Sequence, residues 1–327
     1  MGTSRRQLLQ MAGGSLALVA ATRIASAQTY PARPVRIVVG FPPGGPNDIT
    51  ARIVAQWLSE RLGQQFIVEN RPGAGSNLAT EYVVRAPADG YTLLLVPPPA
   101  AINTTLYGKL NFTFLRDIDP VAGIVRVPEV MVINPSLPVD NAREFIAFAK
   151  ARPGKINMGS SGNGTMPHIA GELFKVMAGV DLVRIGYRGG GPALVDLMAG
   201  QLQVMFEPTL ATLPYIRAQR LRALAVTSAT PSTVLPDVPV LADTVPGYEA
   251  TAWYGIGAPK NTPTDIVARL NQEINAGLAD AKLRGRLADL GGDPMPMMPA
   301  EFGKLVADET EKWGKLIRAA NIRLDGD

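Results

Sequence analysis

The chain has 327 residues, no cysteine and a single histidine, with 32 Lys and Arg against 28 Asp and Glu and 46% hydrophobic residues. No thiol means no disulfide framework, no thiolate nucleophile and no thiolate metal site, and one histidine offers no imidazole pair on which to build a zinc site. Arg5, Arg6 and Arg23 fall in the first 27 residues, which hold no acid, so loss of that segment takes 32 bases against 28 acids to 29 against 28; the resulting charge of about +1 gives no basis for a nucleic-acid partner or an acidic membrane surface.

Residues 1–27 read as a signal peptide. Arg5 and Arg6 form a twin-arginine start, MAGGSLALVAA is the apolar run, and Ala25, Ser26 and Ala27 make a small-residue exit. The run falls short of the roughly 20 residues a membrane span needs. Cleavage is expected near Ala27/Gln28, with the mature protein exported to the periplasm. About 300 mature residues bury a substantial core and favour two domains over one.

Strand and helix signals then alternate. VRIVVG is a short β-branched run, and Ile49, Ile53, Val54, Trp57, Leu58 and Leu62 fall on one face of a helix over 49–62. QFIVEN is a second strand, a helix holds Leu78, Tyr82 and Val83, and YTLLLV is a third strand. Parallel pairing with crossover helices follows from that order. PVAGIVRVPEVMVINPSLP reads as a strand crossing into a second half.

There the pattern restarts, with helices expected over 141–150, 166–178, 192–199 and 209–219 and strands at KINMGS, LVRIGY, QVMFEP and LRALAVTS. After a proline-rich loop and WYGIGAP come two amphipathic helices, one carrying Ile266, Leu270 and Ile274, the other Phe302, Val306 and Trp313. Without a sheet of their own they are expected to pack back on the first half. The expectation is an α/β fold of two lobes, a discontinuous first lobe over 28–125 and 228–327 and a second over 126–227, with crossing strands near 120–130 and 222–232.

Two strand-to-helix loops carry the chemistry: FPPGGPND at 41–48 and SGNGT at 161–165. Glycine lets the backbone approach a ligand with its N–H groups outward, and a helix N-terminus behind the loop favours an anion. Two such loops from distant segments suggest two lobes closing on one small acid. A tight turn remains a rival for Gly44 and Gly45, helix capping for Ser160, Ser161 and Thr165, and an ordinary surface charge for Arg188. Asp48 reads as a first-turn acid, since a carboxylate would repel the anion.

Enzyme signatures are weak by comparison. His168 lies a few residues beyond the hydroxyls in the first helical turn, and no G-x-S-x-G elbow is present, so capping or ligand hydrogen bonding suits it better than a general base. GAGSNL lacks the third glycine of a dinucleotide fingerprint, no phosphate loop occurs, and no cofactor or metal is expected. A secreted α/β hydrolase using His168 and a ligand-sensing adaptor for a signalling partner stand as the alternatives.

The order FPPGGPNDITAR, RPGAGSN, APADGYTLLL, INPSLP, GSSGNGTMPHIAGELF, YRGGGPALVDLMAGQLQVMF, RALAVTS and WYGIGAP resembles the tripartite tricarboxylate transporter receptors, the Bug or TctC family. The resemblance implies a two-lobed, type II-like periplasmic-binding-protein fold. It also implies a receptor delivering a small carboxylate to permease subunits on separate chains, and the chain is expected to be a monomer. Carried onto this sequence, it puts Phe41, Gly44, Gly45 and Asn47 on one side of the ligand and Ser160, Ser161, Gly164 and Thr165 on the other. Ser76 and Asn77 add a contact from the first lobe, and Arg188, Gly189 and Gly190 one from the second. Glu207 follows QVMF, where the family more often has aspartate. Citrate, a C4 to C6 dicarboxylate, an acidic amino acid and an aromatic acid all stay open as ligand.

Overall fold

The computed structural model describes residues 30–289 and 291–324, so the twin-arginine segment and the Ala27/Gln28 junction lie outside the described residues. Met1–Ala32 and Arg33–Asp327 are separate units, and the strands and helices below all belong to the second.

β1 (Val35–Val39) is buried at four of five positions, as a strand covered on both faces requires. α1 (Pro46–Leu62) opens on a proline whose missing N–H costs nothing there, and stops at Gly63 with φ 68°. β2 (Phe66–Asn70), α2 (Asn77–Val84) and β3 (Thr92–Val96) complete a parallel set in which β1 lies between β2 and β3. Two short helices, α3 (Pro99–Leu106) and α4 (Phe114–Asp117), lead into the long strand β4 (Ile118–Ile133). α3 was not expected from the sequence. Pro98 stands at its N-cap and Pro99 at its first position, where a lost donor is harmless.

The second half follows the expected order: α5 (Ala142–Lys150), β5 (Asn157–Ser160), α6 (Met166–Ala178), β6 (Val183–Gly186), α7 (Gly190–Met198), β7 (Val204–Pro208), α8 (Thr209–Arg217) and β8 (Arg222–Val226). The chain then forms β9 (Thr251–Pro259), α9 (Thr264–Ala279), α10 (Ala281–Asp289), the short β10 (Asp293–Pro294) and α11 (Pro299–Ala319). α10 is a third helix where two were expected. Asp280 leaves the helical region at ψ 131° and its carboxylate accepts from the amides of Lys282 and Leu283, ending one helix and starting the next.

The sheet runs β2-β1-β3-β9-β4-β7-β5-β6, with β8 and β10 also paired to β4. Parallel pairs occupy its outer parts, whereas the centre around β4 is antiparallel. β4 carries the change of partner. Its pairing with β9 ends at Pro128 opposite Thr251, and its pairing with β7 begins at the next residue, Glu129 opposite Pro208. Prolines at 120 and 128 are tolerated in so central a strand because its register shifts at bulges between Pro120 and Val125 and its partner changes after Pro128. The second crossing differs from expectation: β8 ends at Val226, and the chain regains β9 only after a loop. Thr227 ties that loop down, donating through its amide and hydroxyl to the Glu129 carbonyl, while the Ala250 amide donates back to the Thr227 carbonyl.

Around β5 and β7 the core is aromatic. Phe145, Phe174, Phe206 and Tyr248 form a chain of rings with centroids 5.3 to 6.4 Å apart, and the Tyr248 hydroxyl donates to the Ala170 carbonyl. Burial of such rings contributes roughly 1.5–3 kcal/mol each. The C-terminal helices pack on the first half. Trp57 of α1 donates to the Glu273 carbonyl of α9, Asn271 donates to the Val121 carbonyl of β4, and Phe302 of α11 sits edge-on to Trp253.

Candidate functional site

The loops at 41–48 and 161–165 face one crevice. A cavity of about 310 Å³ is lined from the first by Phe41, Gly44, Gly45 and Asn47, and from the second half by Ser161, Thr165, Arg188, Gly189 and Gly190. Its volume is at the lower end of the roughly 300–1,000 Å³ typical of small-molecule sites. A second opening of about 670 Å³ shares Phe41, Ser161, Thr165, Arg188 and Gly189 and continues past Gly75 and Tyr107. The halves approach closely beside it: at Gly75, with φ 59°, an added Cβ would lie 3.1 Å from the Asn163 carbonyl oxygen. Only glycine suits both that dihedral and that gap.

The first loop is held from within. Asp48, 3% exposed, accepts from the Gly44 amide at 2.9 Å, from Arg52 at 2.9 Å and from the Asn70 side-chain amide at 3.0 Å, and Asn70 also donates to the Phe41 carbonyl. Burial alone would raise this carboxyl, but the bonds from Arg52, Gly44 and Asn70 outweigh it and hold it below the ordinary carboxylate range. The Gly44 amide, expected to face a ligand, is thereby committed to Asp48. What the loop offers instead is the first turn of α1, where amides have no intrahelical acceptor, and Asn47, whose buried Oδ1 has no partner.

The second loop is less committed. Thr165 stands at the N-cap of α6, yet its hydroxyl donates backwards to the Gly162 carbonyl at 2.7 Å and caps nothing. Ser161 donates its hydroxyl to Glu207. Gly190 lets that carboxyl fit, because a Cβ there would fall 2.1 Å from Glu207 Oε1. Arg188 is exposed at the rim and is the one basic side chain on the cavity wall among the described residues.

Five expected residues lie behind this wall and do not line the cavity. Ser160 is fully buried with an unpartnered hydroxyl, and Ser76, also unpartnered, packs against Gly40 without capping α2. Asn77 accepts from Asn103, which also donates to the Gly75 carbonyl, so the unforeseen helix α3 anchors that loop. Gly164 and His168 face each other: the Gly164 amide donates to His168 Nδ1 at 3.2 Å. Burial, with Arg184 and Lys175 nearby, drives the His168 pKa down to about 3, leaving a neutral imidazole that accepts from its own loop. Among the described residues no group of three or more His, Asp or Glu is placed to hold a metal.

The sequence reading missed Glu129, Tyr254 and the role of Glu207, which all line the cavity. Glu129 is fully buried and neither carboxyl oxygen has a partner. Burial, and then the charge of Glu207, raises it well above the ordinary carboxyl range. Burial pushes Glu207 up to about 7 against the pull of the Ser161 hydroxyl, and raises Tyr254 with help from both acids. A signal for Glu129 was present, as the lone acid in the apolar run VPEVMVI.

Residues 50–322 match the family described as tripartite tricarboxylate transporter family receptor. Protein BugT of Bordetella pertussis is 37% identical over 321 residues, covering 97% of this chain and 98% of that protein. Among solved structures, an R. palustris protein with adipate is 36% identical with a TM-score of 0.87, covering 90% of this chain and 99% of that one. MatC from Rhodopseudomonas palustris, with bound malate, is 30% identical with a TM-score of 0.81, covering 88% and 100%. Two α/β halves joined through β4, two opposed glycine loops over one cavity and relatedness along nearly the whole length agree: the chain belongs to the Bug/TctC family of tripartite tricarboxylate transporter receptors, which are solute-binding proteins and not enzymes.

Proposed function

We propose that this chain is exported, cleaved near Ala27/Gln28, and works in the periplasm as a receptor that captures a small dicarboxylate and hands it to permease subunits on separate chains. The observation that carries the reading is the meeting of the 41–47 loop with Ser161, Thr165 and the 188–190 loop around one small-molecule cavity. Adipate and malate are bound in two related structures, which favours a dicarboxylate over a bulkier acid. One carboxylate is taken by amides of the first turns of α1 and α7 with Arg188 at the rim, a helix-end site reinforced by a forked cation. Ser76, Asn77, Ser160, Gly164 and His168 then serve as the layer that holds the loops in place.

Lobe 1, over 28–125 and 228–327, and lobe 2, over 126–227, close about the two links, the Pro128–Glu129 step of β4 and the Thr227–Ala250 loop. A thermal-shift panel of di- and tricarboxylates tests the capture step. At 100 times its Kd a true ligand stabilises by about 2.7 kcal/mol without being consumed. A panel with no shift for any acid, or with turnover of the ligand, contradicts the reading.

A further inference from the structure

The receptor reading leaves two acids unexplained in a cavity meant for an anion. Glu129 and Glu207 lie on neighbouring strands; Glu129 stands opposite Pro208 and Val130 opposite Glu207, so the two acids leave the sheet on opposite faces, and both residues line the cavity. The backbone of Glu129 is pinned, its carbonyl accepting from both the amide and hydroxyl of Thr227. Both its carboxyl oxygens are buried and bonded to nothing. Glu207 already takes the Ser161 hydroxyl on one oxygen, and its other packs against Gly190. The groups around the pair are Tyr254 of β9, Tyr248, whose phenol is raised by burial and then by the charge of Glu129, and Arg188 at the exposed rim.

An isolated ionised carboxylate in such a place is so costly that the group keeps its proton instead. In the acid form it is an O–H donor, with the opposite hydrogen-bonding sense from a carboxylate. We propose that Glu129 and Glu207 form an acid-form floor that donates hydrogen bonds to the far end of the ligand, selecting molecules that end in an acceptor and coupling their capture to proton uptake. This rests on the dicarboxylate reading: one end of the ligand meets helix amides, and the other meets this pair. Ligands with an ammonium at the far end would require the opposite, two ionised acids and proton release. The donor form is favoured because the ligands of the two related structures, adipate and malate, carry oxygen groups alone.

The test is calorimetric titration of the protein with adipate, malate and aspartate from pH 6 to 9, each in two buffers of different ionisation enthalpy. Adipate's second carboxyl still holds some proton near pH 6, so the proton count is read from pH 7 upward, where both ends are ionised. The expected result is adipate affinity that falls above pH 7 by up to about tenfold per unit, with uptake approaching one proton per ligand. In Glu129→Gln and Glu207→Gln the amide keeps a donor that cannot titrate. Each is expected to bind adipate within about fivefold of the wild type at pH 6.5 and to have a shallower slope, and the double variant no slope. A merely structural role would leave the proton count unchanged in folded variants, as judged by circular dichroism. Adipate binding with a flat pH profile and buffer-independent heat overturns the inference and leaves the receptor function standing. So does tighter binding of aspartate with proton release. Failure of all three ligands at every pH removes the receptor reading and this inference with it.

Discussion

The loops on the two sides of the cavity look alike in sequence but are built differently. At 41–48 the one charged group is spent internally, with Asp48 closing on Gly44, Arg52 and Asn70. At 161–165 and 188–190 the groups divide, with Ser161 on Glu207, Thr165 bonded back to its own loop and Arg188 in solvent. The contrast separates two jobs that glycine-rich loops share. The first side is a preformed rest for the ligand, and the second carries the charges and protons that answer it.

Breaking the rest should have the largest effect. Asp48→Ala removes the buried carboxylate shared by the Gly44 amide, Arg52 and the Asn70 side chain and is expected to cost about 2–3 kcal/mol in urea unfolding, with adipate affinity falling too. On the other side, His168→Leu removes the acceptor for the Gly164 amide, at about 1–3 kcal/mol. It also removes an acid-limb dependence. The folded His168 pKa of about 3 lies below the unfolded value, so its contribution is complete above the ordinary histidine range and is lost as pH falls towards 3.

The acid pair acts with the opposite sign. Glu129 and Glu207 hold protons more tightly folded than unfolded, so their contribution is complete below the ordinary carboxyl range and is lost as pH rises, for Glu207 through about 7. Thermal stability without ligand should decline from about pH 5 to 7 by up to about 1.4 kcal/mol per unit for Glu207 and level off for that group above about 7, and Glu207→Gln should flatten that fall. Arg188→Ala should have the smallest effect on the fold, within about 0.5 kcal/mol, while lowering adipate affinity about tenfold at low salt and less at high salt.

Much of this was legible in the sequence because it rests on local signals. Apolar runs such as VRIVV mark buried strands, Gly63 and Gly179 mark helix ends, and the glycine loops announce close backbone approach. Long-range packing hid the remainder. The helix at Pro99–Leu106 is masked by its own prolines, and only the fold shows Asn103 reaching back to Gly75. Whether Gly44 spends its amide on Asp48 or on a ligand is a matter of rotamer and distance, which spacing does not encode. Glu129 was visible as an oddity in a strand, but its place on the same cavity as Glu207 depends on the pairing of distant strands, which no local pattern reports.

The most direct test of the whole account is a crystal structure grown with adipate. The prediction is one ligand in the crevice, with one carboxylate within hydrogen-bond distance of the first-turn amides of α1 or α7 and the other against the carboxyl groups of Glu129 and Glu207. Adipate bound outside this crevice, or bound there with both carboxylates turned away from the two loops, would contradict it.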